Sequence, residues 1–476
     1  MPVRFGVDRS RSARAVCVVL LTTAVLVPAD ATGQEPRPPV PRRPLGRDVR
    51  VYEPAPGEPE RRDRPVVENP TGTVSLRDAV ALALLHNPEL AAFAWETRAL
   101  EARILQAGRP PNPTLDVLIE DFGAGRVPGE NRDQPVQPQT TLQLSQLIEL
   151  GGKRTARQRL AERDRDLAEW DYETARIRVL TEVSRAYTDV LAAQETVALS
   201  DQATRLVTQV QENVAARVAA GVVSPIEETR ANVALAAVRA EAARARRMLD
   251  ASRARLALLW GSPPSFTSVV GDLKAEPAPL PDNSVLAAML AQSPELARWA
   301  AELSQREAAL ALERSRRAID VAVSAGYRRY TTVDSNAFVV GAAIPLPVFN
   351  RNKGGIEEAR LRLAKTHEER RAAEARVAAQ LADAYAALAT AHDEITILRS
   401  AVLPGAQQAF DAVTEGYRLG RFGLLDVLDA QRTLISAGSQ YLRALSDYYK
   451  AVANVERLIG APLPAGTSLP PPGGRE

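Results

Sequence analysis

The sequence predicts a mainly α-helical chain with a small β part, built from two copies of one module. Three observations predict it: an internal duplication, long stretches of helical periodicity, and a pair of short alternating segments at the same place in each copy. The duplication is direct. His86-Asn87-Pro88-Glu89-Leu90-Ala91 returns as Gln292-Ser293-Pro294-Glu295-Leu296-Ala297, Ala220-Gly221 as Leu419-Gly420, and Leu259-Trp260-Gly261 as Leu458-Ile459-Gly460. An offset of about 200 residues is too long for a short-repeat solenoid unit and marks a domain-sized module.

The chain opens with Arg4, Arg11 and Arg14 ahead of an apolar run at 15–27, and Ala29-Asp30-Ala31 supplies a small-residue cleavage site. Residues 1–31 therefore read as a secretory signal peptide, since the run falls short of the roughly 20 residues a spanning helix needs. Cys17 is the only cysteine and lies inside that signal, so a mature chain without disulfide or lipid anchor is expected. No later apolar run is long enough for a transmembrane helix, but a secreted chain can also cross a membrane as a β-barrel.

Residues 32–73 are rich in Pro, Arg and Glu, too polar to offset their ordering entropy, and read as extended or disordered. The first repeat spans 74–262. Ser75, with Asp78 at the capping-box position, starts a helix expected to run to about Gly108, where Pro110-Pro111-Asn112-Pro113 stops it. Strands follow at about 114–122, where Leu115, Val117 and Ile119 alternate, and at 139–148. Gly151-Gly152 opens a helix from Lys153 to about Ala219, Gly221 and Pro225 break it, and a further helix runs to Trp260.

A linker at 263–283 leads to the second repeat, 284–461. Its expected parts are a helix at 284–317, strands at 319–331 and 337–344, a helix at 356–417, a break near Gly420 and Gly423, and a last helix to Ile459. Residues 462–476 form a loose tail. The longest helix would measure about 100 Å at 1.5 Å per residue. Its apolar residues Leu160, Leu167, Trp170, Ile177, Leu180 and Val183 recur at steps of three, four and seven, a coiled-coil seam. Aromatic content of 5% points to thin helix seams, with Trp95, Trp170 and Trp299 as packing anchors.

Four strands cannot close a barrel, and an open sheet edge is not tolerated in hydrocarbon. Oligomerisation would solve this. Three copies would give about twelve strands around an aqueous lumen and gather the long helices into a tube, although the physics does not fix the number three.

Other chemistries find little support. A net charge of +2 argues against a nucleic-acid partner. His86, His367 and His392 are scattered and lack cysteine partners, so no metal site, cofactor or catalytic constellation is expected. Gly151-Gly152-Lys153-Arg154 lacks the spacing of a phosphate loop. Asp116, Glu120 and Asp121 lie in the first strand pair with their facing open.

Against this plan, the phrase Leu144-Ser145-Gln146-Leu147-Ile148-Glu149-Leu150-Gly151-Gly152-Lys153-Arg154, with Ile344-Pro345-Leu346-Pro347-Val348-Phe349-Asn350-Arg351-Asn352 at the matching junction, carries a resemblance. Over roughly 74–461 the chain resembles the TolC family of outer-membrane efflux proteins, and within it the cobalt–zinc–cadmium resistance branch. The resemblance implies a homotrimer with a twelve-stranded barrel in outer-membrane lipid and a helical barrel through the periplasm. It implies docking to a periplasmic adaptor and an inner-membrane resistance–nodulation–division pump, with passive conduction of divalent heavy-metal cations and no catalysis. Drug efflux or type I protein secretion by the same kind of channel is the alternative. A periplasmic coiled-coil adaptor or scaffold is more distant, because adaptors carry one hairpin with lipoyl-like flanks.

The resemblance also implies site residues. Gly221 and Gly420 fall at the turns that adaptors contact. Asp426 and Asp429 match acids ringing the periplasmic entrance, where three copies would set six carboxylates that attract cations; the alternative is that they only cap or solvate a helix start. Tyr417 and Glu227 match a hydrogen-bonded latch. Phe422 and Ile226 replace an Arg–Thr latch, so closure there would be apolar.

Overall fold

The computed structural model describes residues 69–121, 138–290, 293–331 and 334–463, all belonging to one unit of the chain. The expected signal peptide, nearly all of the Pro-rich segment and nearly all of the tail lie outside the described residues.

Ser75 caps α1 (Leu76–His86) through the expected capping box: its Oγ accepts from Asp78 N, and Asp78 Oδ2 accepts from Ser75 N, each at 3.2 Å. The helix does not continue to Gly108. Pro88 lacks an N–H and pushes Asn87 out of helical geometry (φ −64°, ψ 121°). Asn87 Oδ1 then accepts from Glu89 N (2.9 Å) and Leu90 N (3.2 Å), capping a new helix, α2 (Pro88–Ala107). The second repeat does likewise, with Ser293 between α5 (Asn283–Leu290) and α6 (Pro294–Ser315). The most conspicuous repeated phrase is thus a helix restart.

The Pro-rich segment and the linker are also not wholly irregular. Their ends form β1 (Gly72–Val74) and β4 (Phe266–Val269), which pair in parallel. Strands of three and four residues carry too little alternation to be read from sequence. Tyr187 Oη reaches the carbonyl oxygens of Val74 (3.1 Å) and Val270, tying this pair to the longest helix.

Four longer strands, β2 (Thr114–Glu120), β3 (Gln139–Ile148), β5 (Val321–Tyr330) and β6 (Ser335–Ala343), form one antiparallel sheet in the order β2-β3-β5-β6. The β3–β5 ladder joins the repeats, and β2 and β6 are edges. Cross-strand rows such as Val117–Leu142–Tyr327–Phe338 and Leu115–Leu144–Ala325–Val340 put the apolar residues on one face. That face is bare: Val340 is 83% exposed and Phe338 88%. The opposite face is mainly polar or small, with Leu118, Leu147 and Val339 among its residues. There Asp116 accepts from Ser145 Oγ (3.2 Å), and Arg328 meets Glu120 (3.2 Å) and Thr141 Oγ1 (2.8 Å). The facing of Asp116 and Glu120 is thereby settled, whereas Asp121 lies past the strand and accepts from Gln139 Nε2 at 2.8 Å.

The longest helix, α3 (Lys153–Ala219), has 67 residues and turns back into α4 (Pro225–Leu258). Its seam is narrow at both ends: only Ala161 and Ala168 are buried before Tyr172, and in the distal part Ser200, Ala203, Val207, Val210 and Val214 step by three and four. From Tyr172 to Leu191 it is buried on most sides because α1, α6, α9 (Leu424–Ile459) and β4 all pack there. This core is thicker than the low aromatic content suggests, holding Tyr187, Tyr448 and Trp260 fully buried. Trp260, 1% exposed, is the anchor; Trp95, Trp170 and Trp299 are only half-buried.

The second long helix is also interrupted. After α7 (Lys353–Ile397) a π turn, Leu398–Val402, precedes α8 (Leu403–Arg418), and Leu403 N donates to Leu398 O. Pro404 supplies the reason, since it has no N–H and its ring clashes with the carbonyl four residues back. The matching stretch of α3 has no proline and stays α-helical.

Candidate functional site

The candidate site is the pair of turns where α3 meets α4 and α8 meets α9. Both turns close the same way. Val222 N donates to Arg217 O and Gly221 N to Val218 O, each at 2.9 Å; Arg421 N donates to Gly416 O (2.8 Å) and Gly420 N to Tyr417 O (3.1 Å). This two-bond closure needs a left-handed residue, and Gly221 (φ +71°) and Gly420 (φ +73°) provide it. No atom lies within 4 Å of where a Cβ would sit on either glycine, so both turns present open backbone.

The return helices start differently. Ser224 Oγ caps α4, with Pro225 at its first position and Ile226 N donating at 3.5 Å. Gly423 opens α9, and Asp426 Oδ2 accepts from Gly423 N at 2.8 Å. Asp426 therefore does cap the helix, yet it remains exposed, and Asp429 is exposed with no hydrogen bond or ion pair among the described residues. Both acids line a cavity of about 300 Å³ together with Phe422, Val413 and Thr433.

Behind the turns, Val210, Val214, Ala231, Phe410, Tyr417, Leu424 and Val427 make a small hydrophobic cluster that joins the two hairpins. Tyr417 is 8% exposed. Arg217 holds it from the first turn: its guanidinium sits 4.6 Å from the ring centroid, and Nη1 donates to the Tyr417 carbonyl at 3.2 Å. Burial pushes the Tyr417 hydroxyl pKa up, Arg217 opposes this, and Glu227 adds to it. The expected Tyr417–Glu227 hydrogen bond does not reach normal geometry within the single chain, for Tyr417 Oη and Glu227 Oε2 are both buried without a partner. Phe422 and Ile226 are both substantially exposed.

Two residues here escaped the sequence reading. Arg217 carries no sequence signal of its own, since a basic residue in the last turn of a helix is favoured by the dipole alone. Gly416 accommodates the Phe422 ring, since a Cβ there would lie 2.2 Å from Phe422 Cδ2. A glycine inside an otherwise helical stretch was the available signal for the second.

Away from the turns, no group of three potential metal ligands forms among the described residues. No described helix is long and apolar enough to cross a membrane.

Known proteins match this architecture across both repeats. The chain is 38% identical over 390 residues to the cobalt–zinc–cadmium resistance protein CzcC of Cupriavidus metallidurans, covering 82% of this chain and 90% of that one. It is 30% identical over 298 residues to the nickel–cobalt–cadmium resistance protein NccC of Alcaligenes xylosoxydans xylosoxydans, covering 62% and 65%. Among solved structures, that of CusC, described in terms of transmembrane channel formation, superposes with a TM-score of 0.69 at 17% identity, covering 89% of this chain and 99% of that one. The open-state MtrE outer membrane channel of Neisseria gonorrhoeae gives 0.66 at 19% identity, covering 83% and 90%. The profile of outer membrane efflux proteins matches residues 79–262 and 285–461, one block per repeat, and the chain belongs to that family.

Proposed function

We propose that this chain is the outer-membrane channel of a tripartite resistance–nodulation–division efflux system, working as a homotrimer with a periplasmic adaptor and an inner-membrane pump. Its cargo is divalent heavy-metal cations, and it conducts them without chemistry of its own. The observation that carries the cargo is the 38% identity to a cobalt–zinc–cadmium resistance protein over both repeats.

Physical features support the assembly. The bare apolar face suits lipid and the polar face suits a lumen. The edges β2 and β6 must be paired in hydrocarbon, which head-to-tail pairing of copies achieves. Three copies would also bring Asp426 and Asp429 together as six carboxylates, a local field that concentrates cations. Gly221 and Gly420 expose backbone where an adaptor would dock.

In a closed entrance, Arg217 would hold Tyr417 while the Tyr417 hydroxyl and Glu227 carboxylate, each without a partner in the single chain, pair with each other as the latch, with Phe422 and Ile226 as apolar closure. Tyr417→Ala and Glu227→Ala should raise single-channel conductance in planar bilayers; unchanged conductance in both removes the latch.

A second reading, the same duct serving a different cargo, draws on 26% identity over 409 residues to the pyoverdine export protein OpmQ of Pseudomonas putida. A deletion strain decides between them. Loss of tolerance to zinc, cobalt or cadmium is expected, while full metal tolerance combined with sensitivity to organic compounds would overturn the metal reading.

A further inference from the structure

The helical end of the four-stranded sheet carries a charge pattern that neither the duct nor its entrance uses. All four strands meet the helices there, at Thr114, Ile148, Val321 and Ala343. The acids in or beside these connections are already engaged: Glu149 by Arg157 (2.7 Å), Asp320 by Lys153 (2.7 Å) and Glu313 by Arg316 (2.5 Å).

Five exposed cations in the connections, or in the first two residues of the helices that leave the sheet, have no acidic partner among the described residues: Arg109, Arg154, Arg317, Arg351 and Lys353, at least one beside every strand end. Two of them donate only to carbonyls, Arg154 to Gly108 O (2.5 Å) and Arg351 to Pro347 O (3.2 Å). Arg109 and Arg317 follow helix C-termini, where the dipole favours cations, but the helices that leave the sheet gain nothing from theirs. Lys353 and Arg154 stand in first turns that hold no acid, where the helix dipole disfavours cations.

An apolar surface adjoins these charges. Ile344 continues the alternation of Phe338, Val340 and Ala342, and the connection after it leaves Phe349 99% exposed. Arg109 also lines a cavity of about 970 Å³ whose strand wall is Gln146. Gln146 is in register with Val323, on the apolar face, so this cavity adjoins the side that suits lipid. An apolar band that ends in an aromatic residue and then a row of unpaired cations is the order in which hydrocarbon gives way to phosphate headgroups.

We propose that this end of the sheet is a collar for anionic phospholipid: the five cations hold headgroup phosphates of the periplasmic leaflet, and Phe349 sits at the acyl boundary. The proposal rests on the outer-membrane barrel reading above, and the commitment is to lipid, not free phosphate.

The test uses the purified mature protein reconstituted in phosphatidylcholine vesicles with and without phosphatidylglycerol. Insertion is followed by conductance, and retained lipid by native mass spectrometry. Wild type should retain phosphatidylglycerol in preference to phosphatidylcholine. Each neutralisation, such as Arg154→Gln or Arg351→Gln, should weaken that preference by up to about fivefold. A fivefold-substituted Gln variant should lose it, and the variant with Lys at the four Arg positions should keep it. Equal retention of the two lipids by wild type would overturn the collar. So would an undiminished preference in the Gln variant, or complete displacement of lipid by inorganic phosphate. Absence of conductance in both vesicle types would instead sink the channel reading, so the two failures are distinguishable. Should the Gln variant not fold, the wild-type lipid comparison and the single neutralisations still decide.

Discussion

Glu456, in the last turns of α9, is driven by burial to a pKa of about 7, although a hydrogen bond from Leu463 N at 3.0 Å favours its charged form. The sign follows from linkage. Below about pH 4.5 the group is protonated folded and unfolded, and it costs nothing. Between there and pH 7 only the unfolded chain ionises, so stability falls, and above pH 7 the penalty is constant at no more than about 3 kcal/mol. Glu456→Gln keeps the acceptor and removes the charge. It should raise the midpoint of helix melting at pH 8 and leave it nearly unchanged at pH 4.5, followed by circular dichroism in detergent; an equal gain at both would contradict the assignment. At the tips, Asp426, Asp429, Tyr417 and Glu227 were named by the family resemblance, position by position, and not by residue type or spacing. Arg217 was not, because stacking on Tyr417 depends on two turns separated by 200 residues in sequence.

At the scale of elements, connections matter more than propensities. Gly151 turns β3 into α3 at φ +70°, and a Cβ there would lie 2.2 Å from the Cβ of Ala318, just before β5. Gly151→Ala meets the left-handed penalty of about 1–2 kcal/mol and must also displace the neighbouring connection, a further cost of about 1–3 kcal/mol. Gly152, also left-handed, has nothing within 4 Å. Gly151→Ala should therefore sharply reduce the outer-membrane yield of folded protein, while Gly152→Asn is tolerated; comparable yields would refute the crowding argument. The pairs α1/α2 and α5/α6 show how a proline misled the periodicity argument, since apolar spacing runs through Asn87 and Ser293 although the backbone does not. The π turn before Pro404 is the same lesson with a milder outcome, as the axis continues and only the hydrogen-bond register slips.

For the whole molecule, the decisive feature is a sheet with one apolar and one polar face, bare on the apolar side. Neighbouring residues of β6 test it, because side chains alternate. Val340 stands on the apolar face and Val339 opposite Gly326 on the other. An arginine at Val340 faces hydrocarbon, at a cost of about 2–4 kcal/mol near the midplane. One at Val339 faces the lumen. Val340→Arg should abolish heat-modifiable oligomer in outer-membrane fractions and Val339→Arg should leave it; the reverse order would invert the face assignment. The duplication gives the walls near-equivalent halves. Its imperfections sit in the second hairpin, which alone has the π turn and Asp426 at the helix start in place of a serine cap.

The sequence by itself determined the repeat, the long helices, the alternating strands and the glycine turns, because each is a local pattern of spacing, capping or backbone freedom. Only the tertiary structure decided which strand edges stay open and which face holds Asp116 and Glu120. It also decided that Arg217 grips Tyr417, and that the acids at the helical end of the sheet are engaged while five cations there are not. Those outcomes depend on register between distant segments, and no window of neighbouring residues contains that information.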